Sequence, residues 1–454
     1  MRDLFFVAYL AAFFALGLRR PFLLVLVYAY IDIVSPQRLS YYLLNSIPIS
    51  AIAFGLAVTA WLVMDDKRDS RFSFRQVLIL VLLGWCFYTT SHADFPIEAK
   101  VKWDWVWKAL IFATFLPLVL RTKLRLEAFA LIMVLSVSSI IVTGGIKTAL
   151  SGGGYGVLNL MITDNAGLYE GSIISTVAIA IMPLLYWLAK HGTIFPPDKW
   201  VCAYALALGL ACLLIPIGTE ARTGLVCAAF LAGLALLHAK RRMLWGGALA
   251  LLAIISIPFL PTSFTSRMDT IGSYQADESA STRIAVWSWT WDYVKQHPNG
   301  GGFNAYLQNS LQYYTNKVSG EGASMTVERQ LIVDKGRAYH NSYFEMLGEQ
   351  GFLGLFLWLL LQVICIVRTE YTRRLYKKRG KPDEQWAATL ALTLQQGHLV
   401  YLFGSMFVGI AYQPFIFMLI AMQIGLDTYL TRKRRAEGAV PMFTSAPAHA
   451  GATS

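Results

Sequence analysis

Apolar residues along this chain run in long, nearly uninterrupted blocks, with polar residues confined to the gaps between them. Neither the alternation of a half-buried strand nor the one-sided stripe of a soluble amphipathic helix describes these blocks; helices that are apolar all round do. A bilayer core about 30 Å thick needs about 20 apolar residues in a helix, somewhat fewer where charged flanks snorkel. Thirteen blocks read as candidate spans: 3–18, 21–35, 47–64, 76–91, 103–120, 125–145, 168–189, 199–216, 221–238, 243–260, 343–367, 386–408 and 411–430. The first two are short and are separated by only Arg19 and Arg20, so twelve or thirteen crossings are expected. The expected fold is an all-α polytopic membrane protein. It has N-terminal helices over 1–260, a large loop over 261–342 that contains short helices, C-terminal helices over 343–430 and a tail over 431–454.

Composition agrees with this pattern. The 454 residues are 56% hydrophobic and 15% charged, against about 25% charged in a soluble domain, which excludes a disordered chain and a secreted disulfide scaffold. Leu4–Leu18 lacks the basic flank and small-residue cleavage site of a signal peptide, and a second apolar block follows it at once, so it is expected to remain in the mature protein. Cys86, Cys202, Cys212, Cys227 and Cys365 all fall inside apolar blocks without C-x-x-C spacing, and read as small hydrophobes rather than metal ligands or bridges.

The net charge of +12 changes meaning once it is partitioned. Every second connection is basic, and those connections hold 25 of the 39 Lys and Arg residues, including Lys67–Arg75, Lys240–Arg242, Arg368–Lys381 and Arg432–Arg435. With their acidic neighbours they carry +17, and the rest of the chain carries −5. The positive-inside rule places them, and the C-terminus, on the cytoplasmic side, so the charge orients the protein and needs no nucleic-acid partner. The tail from Ala436, rich in Ala, Pro, Ser and Thr, is expected to be disordered.

Residues 261–342 form an outward loop far longer than a connector, where function is best sought. Within it, 281–296 reads as a helix that opens at Ser281 or Thr282 and ends at His297-Pro298-Asn299 and Gly300–Gly302. Trp287 and Trp291 share one face, as an interfacial anchor or as packing onto the bundle, and Arg283 lies one turn before them. The loop ends in Arg337-Ala338-Tyr339-His340-Asn341-Ser342, and the next span begins. Ser342 with Glu345 fits a capping box, which sets His340 just before a helix N-terminus whose dipole would keep its ring neutral. Gly351 and Gly354 follow on that helix and would let another backbone approach. Lys100, Lys102 and Lys108, interleaved with Trp103, Trp105 and Trp107, are expected to form an interfacial belt. His92, His191, His238, His297, His398 and His449 have no companions at ligand spacing.

His340-Asn341 followed by Gly351-x-x-Gly354, at the junction of the long loop and the next span, resembles the signature of the bacterial O-antigen ligase and polymerase superfamily. The resemblance covers roughly residues 200–430, with Gly218-Thr219-Glu220-Ala221-Arg222-Thr223-Gly224 and Arg283 included, and Ser35–Leu39 resembles a subgroup proposed as O-glycosylation ligases. It implies a metal-independent inverting glycosyltransferase of lipopolysaccharide biosynthesis, with no cofactor and no ATP. Such an enzyme moves a glycan from undecaprenyl diphosphate to a sugar hydroxyl of lipid A-core at the periplasmic face of the inner membrane. The resemblance and the chemistry together assign His340 as general base, Arg222, Arg283 and Arg337 as diphosphate binders, and Asn341, Gly351 and Gly354 as supporting residues.

Alternative readings within the superfamily are an O-antigen polymerase and a protein O-oligosaccharyltransferase; from another class, a transporter or flippase of lipid-linked glycans. The chain has no outward Asp-x-Asp for a nucleotide-sugar enzyme and no His-Glu-x-x-His for a zinc hydrolase. It also shows no inverted repeat of the transporter kind.

Overall fold

A computed structural model describes residues 2–67, 70, 72–153, 167–244, 246–248, 251, 278–319 and 326–439. The helices are α1 (Arg2–Arg19), α2 (Phe22–Val34), α3 (Pro36–Leu39), α4 (Ile49–Met64), α5 (Phe74–Ser91), α6 (Pro96–Val119) and α7 (Lys123–Ser151). They continue with α8 (Gly171–His191), α9 (Lys199–Gly218), α10 (Arg222–His238), α11 (Glu278–Gln296), α12 (Ser342–Arg379), α13 (Gln385–Gly404) and α14 (Pro414–Ala439). Twelve of the thirteen apolar blocks coincide with helices; most of the block 243–260, and loop residues 261–277, lie outside the described residues.

The protein is a mostly helical membrane protein. Six helices, α5, α7, α8, α9, α12 and α14, are long and apolar enough by themselves to cross a bilayer, and α2, α4 and α10 are shorter apolar helices. The α6 helix misses that standard because even its last 18 residues, Lys102–Val119, hold the charged residues Lys102, Asp104 and Lys108. Burial sorts the bundle. In the most apolar windows of α8 and α14, 78% of residues are buried, against 28% in α9, so α8 and α14 are central and α9 presents its apolar surface outward, as a lipid-facing helix does. The α14 helix packs on α6, α12 and α13, while α8 packs on α7, α9, α10 and α13.

Three expectations are corrected. The long loop is not built of short helices alone: β1 (Ser310–Ser319) and β2 (Thr326–Lys335) pair antiparallel, Ser310 opposite Lys335 and Ser319 opposite Thr326. Their alternating polar composition is too weakly apolar to stand out beside the spans. The α14 helix runs on to Ala439, into the segment expected to begin a disordered tail. And α13 ends at Gly404, leaving nine non-helical residues before Pro414 where only two separated the blocks.

Candidate functional site

The N-terminus of α12 is built differently from the capping box that the spacing suggested. Asn341 is the N-cap: its Oδ1 accepts from the amides of Tyr343 (2.8 Å) and Phe344 (3.3 Å), satisfying donors that a helix start leaves unpaired. Ser342 is instead the first helical residue, and its hydroxyl reaches the segment between α13 and α14. It donates to the Val408 carbonyl (2.9 Å) and accepts from the Ile410 amide (2.8 Å). Asn341 Nδ2 adds a bond to the Met406 carbonyl (2.9 Å). Glu345 is thereby released from capping.

His340 precedes this cap with φ +46°, the left-handed region that L-residues rarely enter. It is held there from both sides. Asn341 is pinned as described, and Trp287 Nε1 of α11 donates to the Tyr339 carbonyl (2.8 Å) while its ring stacks on Phe344. Trp287 therefore packs onto the bundle, and Trp291, which meets Phe352 edge-on, keeps an exposed face. Backbone held in a sparsely populated conformation by its surroundings is characteristic of functional sites.

Gly351 does not simply allow close helix packing; it interrupts α12, with φ +66° and ψ −167°. The turn after α11 fills the break. Gly301 and Gly302 donate their amides to the freed carbonyls of Gly348 and Glu349 (3.0 Å each), and Phe352 donates to the Pro298 carbonyl (3.0 Å). The His-Pro-Asn-Gly-Gly-Gly turn and the interrupted helix thus satisfy each other's backbone groups, as an interruption at this depth requires. Gly354 faces Trp85 of α5, whose Nε1 donates to the Gln350 carbonyl (2.8 Å).

Just before the break Glu349 meets Lys102, which is not part of an interfacial belt. Lys102 Nζ lies 2.7 Å from Glu345 Oε1 and 2.8 and 2.9 Å from the two oxygens of Glu349. Glu349 is fully buried and also accepts from the Asn304 amide (3.0 Å); Glu345 accepts from the Ala411 amide (3.0 Å). The ammonium sits 4.7 Å from the centre of the Tyr412 ring. A buried ammonium with two carboxylates survives only because each charge is bonded several times.

These groups share a cavity of about 410 Å³. His340 and Tyr339 line it together with Lys102, Glu345 and Glu349, and Val408–Ile410 and Tyr412 close another side. Clefts of about 410 and 610 Å³ between α7, α8 and α9 are lined almost entirely by apolar side chains and hold none of these groups. His340 keeps an exposed edge, yet its pKa is lowered below the ordinary histidine value: first by desolvation, then by the positive charges of Arg283 and Arg337.

Arg283, half-buried on α11, and Arg337 are thus close enough to His340 to act on its charge. Arg337 also pairs with Asp334, and its amide is held by Asn309 Oδ1 (2.9 Å). Arg222 opens α10 and does not line the cavity; Gly224, two residues on, is where α10 closes against Pro216 and Ser175. Sequence reasoning missed Lys102, Glu349 and the 405–413 segment. Two glutamates four residues apart on one face of an apolar helix were the available signal, because such charges demand a partner.

Residues 205–359 match the family model described as O-Antigen ligase, and residues 1–193 match a family of unknown function (DUF5935). No protein of curated function matches the chain. His340, Arg222, Arg283, Arg337, Glu345 and Glu349 all lie within the first match; Lys102 lies within the second, so the cavity is assembled from both.

Proposed function

We propose that this chain is an O-antigen ligase, a reading supported by the match of residues 205–359 to the O-antigen ligase family model, whose members are glycosyltransferase-like enzymes. It would transfer a glycan from undecaprenyl diphosphate to a sugar hydroxyl of lipid A-core at the periplasmic face of the inner membrane. The observation that carries this reading is the placement of His340. It is an accessible imidazole held in an unusual backbone conformation on a polar cavity, with its pKa lowered by desolvation and two arginines.

The reaction asks little else of the protein. The acceptor hydroxyl loses its proton to His340 as its oxygen forms a bond to the anomeric carbon. The bond from that carbon to the phosphate oxygen breaks, and undecaprenyl diphosphate leaves with the electron pair. A single displacement inverts the anomeric centre. A positioned base of this kind contributes typically 10²–10⁴-fold. The leaving diphosphate is anionic beside a low-dielectric bilayer, and arginine keeps its charge and binds phosphate with two donors. Arg283 and Arg337 lie close enough to the base to lower its pKa, and Arg222 opens α10. The Lys102–Glu345–Glu349 cluster ties α6 to α12 through its side chains and lines the same cavity as His340.

Purified protein, lipid-linked glycan and one acceptor at a time test the reading. Product should form with lipid A-core and without ATP, and His340→Ala should abolish it. Transfer to a second lipid-linked repeat or to a protein instead would make the chain a polymerase or an oligosaccharyltransferase. Full ligation by His340→Ala together with lost lipid flipping would make it a transporter.

A further inference from the structure

A second polar cavity, of about 250 Å³, opens at the other end of the bundle. The α5 helix spans the distance: Ser73, its N-cap, lines this cavity, and Thr89, roughly 24 Å further along the helix, donates to Gln350 beside Glu349. Arg368, Arg432 and Arg435 line the cavity with Ser70, Ser73 and Thr431.

Its charge balance is lopsided. Among the described residues Asp427 is the acidic one in the lining, and its carboxylate is already engaged by Arg75 (2.5 Å), a buried arginine of α5, and by Arg368 (3.1 Å). With Arg75 neutralising Asp427, Arg368 and Arg435 leave the described lining with a net positive charge. The N-terminus of α5 adds its dipole from the Ser73 side, and the Ser70 hydroxyl is buried without a hydrogen-bond partner. One wall is apolar: Phe72, more than half exposed, with Pro117 and Leu118.

We propose that this cavity binds the headgroup phosphate of an anionic membrane phospholipid, as a site distinct from the His340 cavity. Arginines, a helix N-terminus and an unsatisfied hydroxyl suit a phosphate anion. The exposed apolar wall suits the glycerol and upper acyl chains that accompany it, and basic pockets between membrane helices take such headgroups. A soluble phosphate would leave Phe72 uncovered, which favours the lipid as the source.

The test uses the full chain, purified in detergent and stripped of lipid, with bound lipid counted by native mass spectrometry. Phosphatidylglycerol should bind at least tenfold more tightly than phosphatidylcholine. Arg368→Gln/Arg435→Gln should lose that preference. Arg435→Gln and Ser70→Ala, which leave the Arg75–Asp427 pair in place, should each weaken it. Lys378→Gln, the same single charge change as Arg435→Gln at an exposed position outside the cavity, should leave it unchanged. Equal binding of phosphatidylcholine, an equal loss in Lys378→Gln, or complete displacement of phosphatidylglycerol by millimolar inorganic phosphate would each overturn the proposal.

Discussion

The carbonyl of Pro298 occupies the space that a side chain on Gly351 would need, and it accepts the amide of Phe352, the next residue, at 3.0 Å. Through this contact the turn after α11 is inserted into α12, two residues beyond the Glu349 that meets Lys102. Gly351→Ala should therefore be severe. It places a Cβ at φ +66° against backbone atoms that cannot yield, so a loss of about 2 kcal/mol or more is expected. Thermal unfolding in detergent would show it, while Gly55→Ala on α4, where a Cβ meets nothing within 4 Å, should be neutral or slightly stabilising. Equal midpoints for the two variants would refute the role given to the break.

His340→Ala and His340→Gln should each lower glycan transfer by about 10²–10⁴-fold without lowering the unfolding midpoint, since the ring's place is set by the backbone around it. A single-turnover assay with lipid-linked donor separates this from weakened binding. A loss below tenfold would remove His340 from the chemistry.

The pH profile follows from the direction of the His340 shift. A lowered pKa means the neutral base persists to more acidic pH than for an ordinary histidine, and activity is lost as pH falls through that lowered value. Arg283→Gln and Arg337→Gln each remove a positive charge that opposes protonation, so the acidic limb of kcat should move to higher pH in both. A limb that stays in place, or moves to lower pH, contradicts the electrostatic account.

Lys102→Met should leave Glu345 and Glu349 facing each other without their cation, at a cost of about 3–5 kcal/mol. Glu349→Gln, which keeps acceptors for Lys102 and Asn304, should cost less than Glu349→Ala. Combining Lys102→Met with Glu345→Gln and Glu349→Gln should recover part of the loss, since no unpaired charge is then buried. Additive destabilisation in the triple variant would show that the three residues act independently.

Much of the architecture was legible because a bilayer leaves a coarse signature. Apolar blocks marked twelve helices that the structure contains, and the ending of α11 at His297-Pro298 followed from turn chemistry. The His340-Asn341 junction stood out for a local reason as well: it separates a polar loop from an apolar helix. Local rules failed where two geometries shared one pattern. Ser342 with Glu345 looked like a capping box, but Asn341 took the cap, and both other side chains went to residues 408–411.

The chain by itself thus determined its membrane class and the position of its candidate base, since hydrophobic runs and helix boundaries depend on residues near one another in the chain. The cavity was decided by tertiary structure alone. Lys102 meets Glu345 and Glu349 across 243 and 247 positions, and a charge reveals in the sequence that it needs a partner, never which one. Only the assembled bundle, which brings the Lys102 side chain of α6 to Glu345 and Glu349 of α12, makes that choice, because a buried ion pair is stable solely where the fold supplies every bond that water gave up.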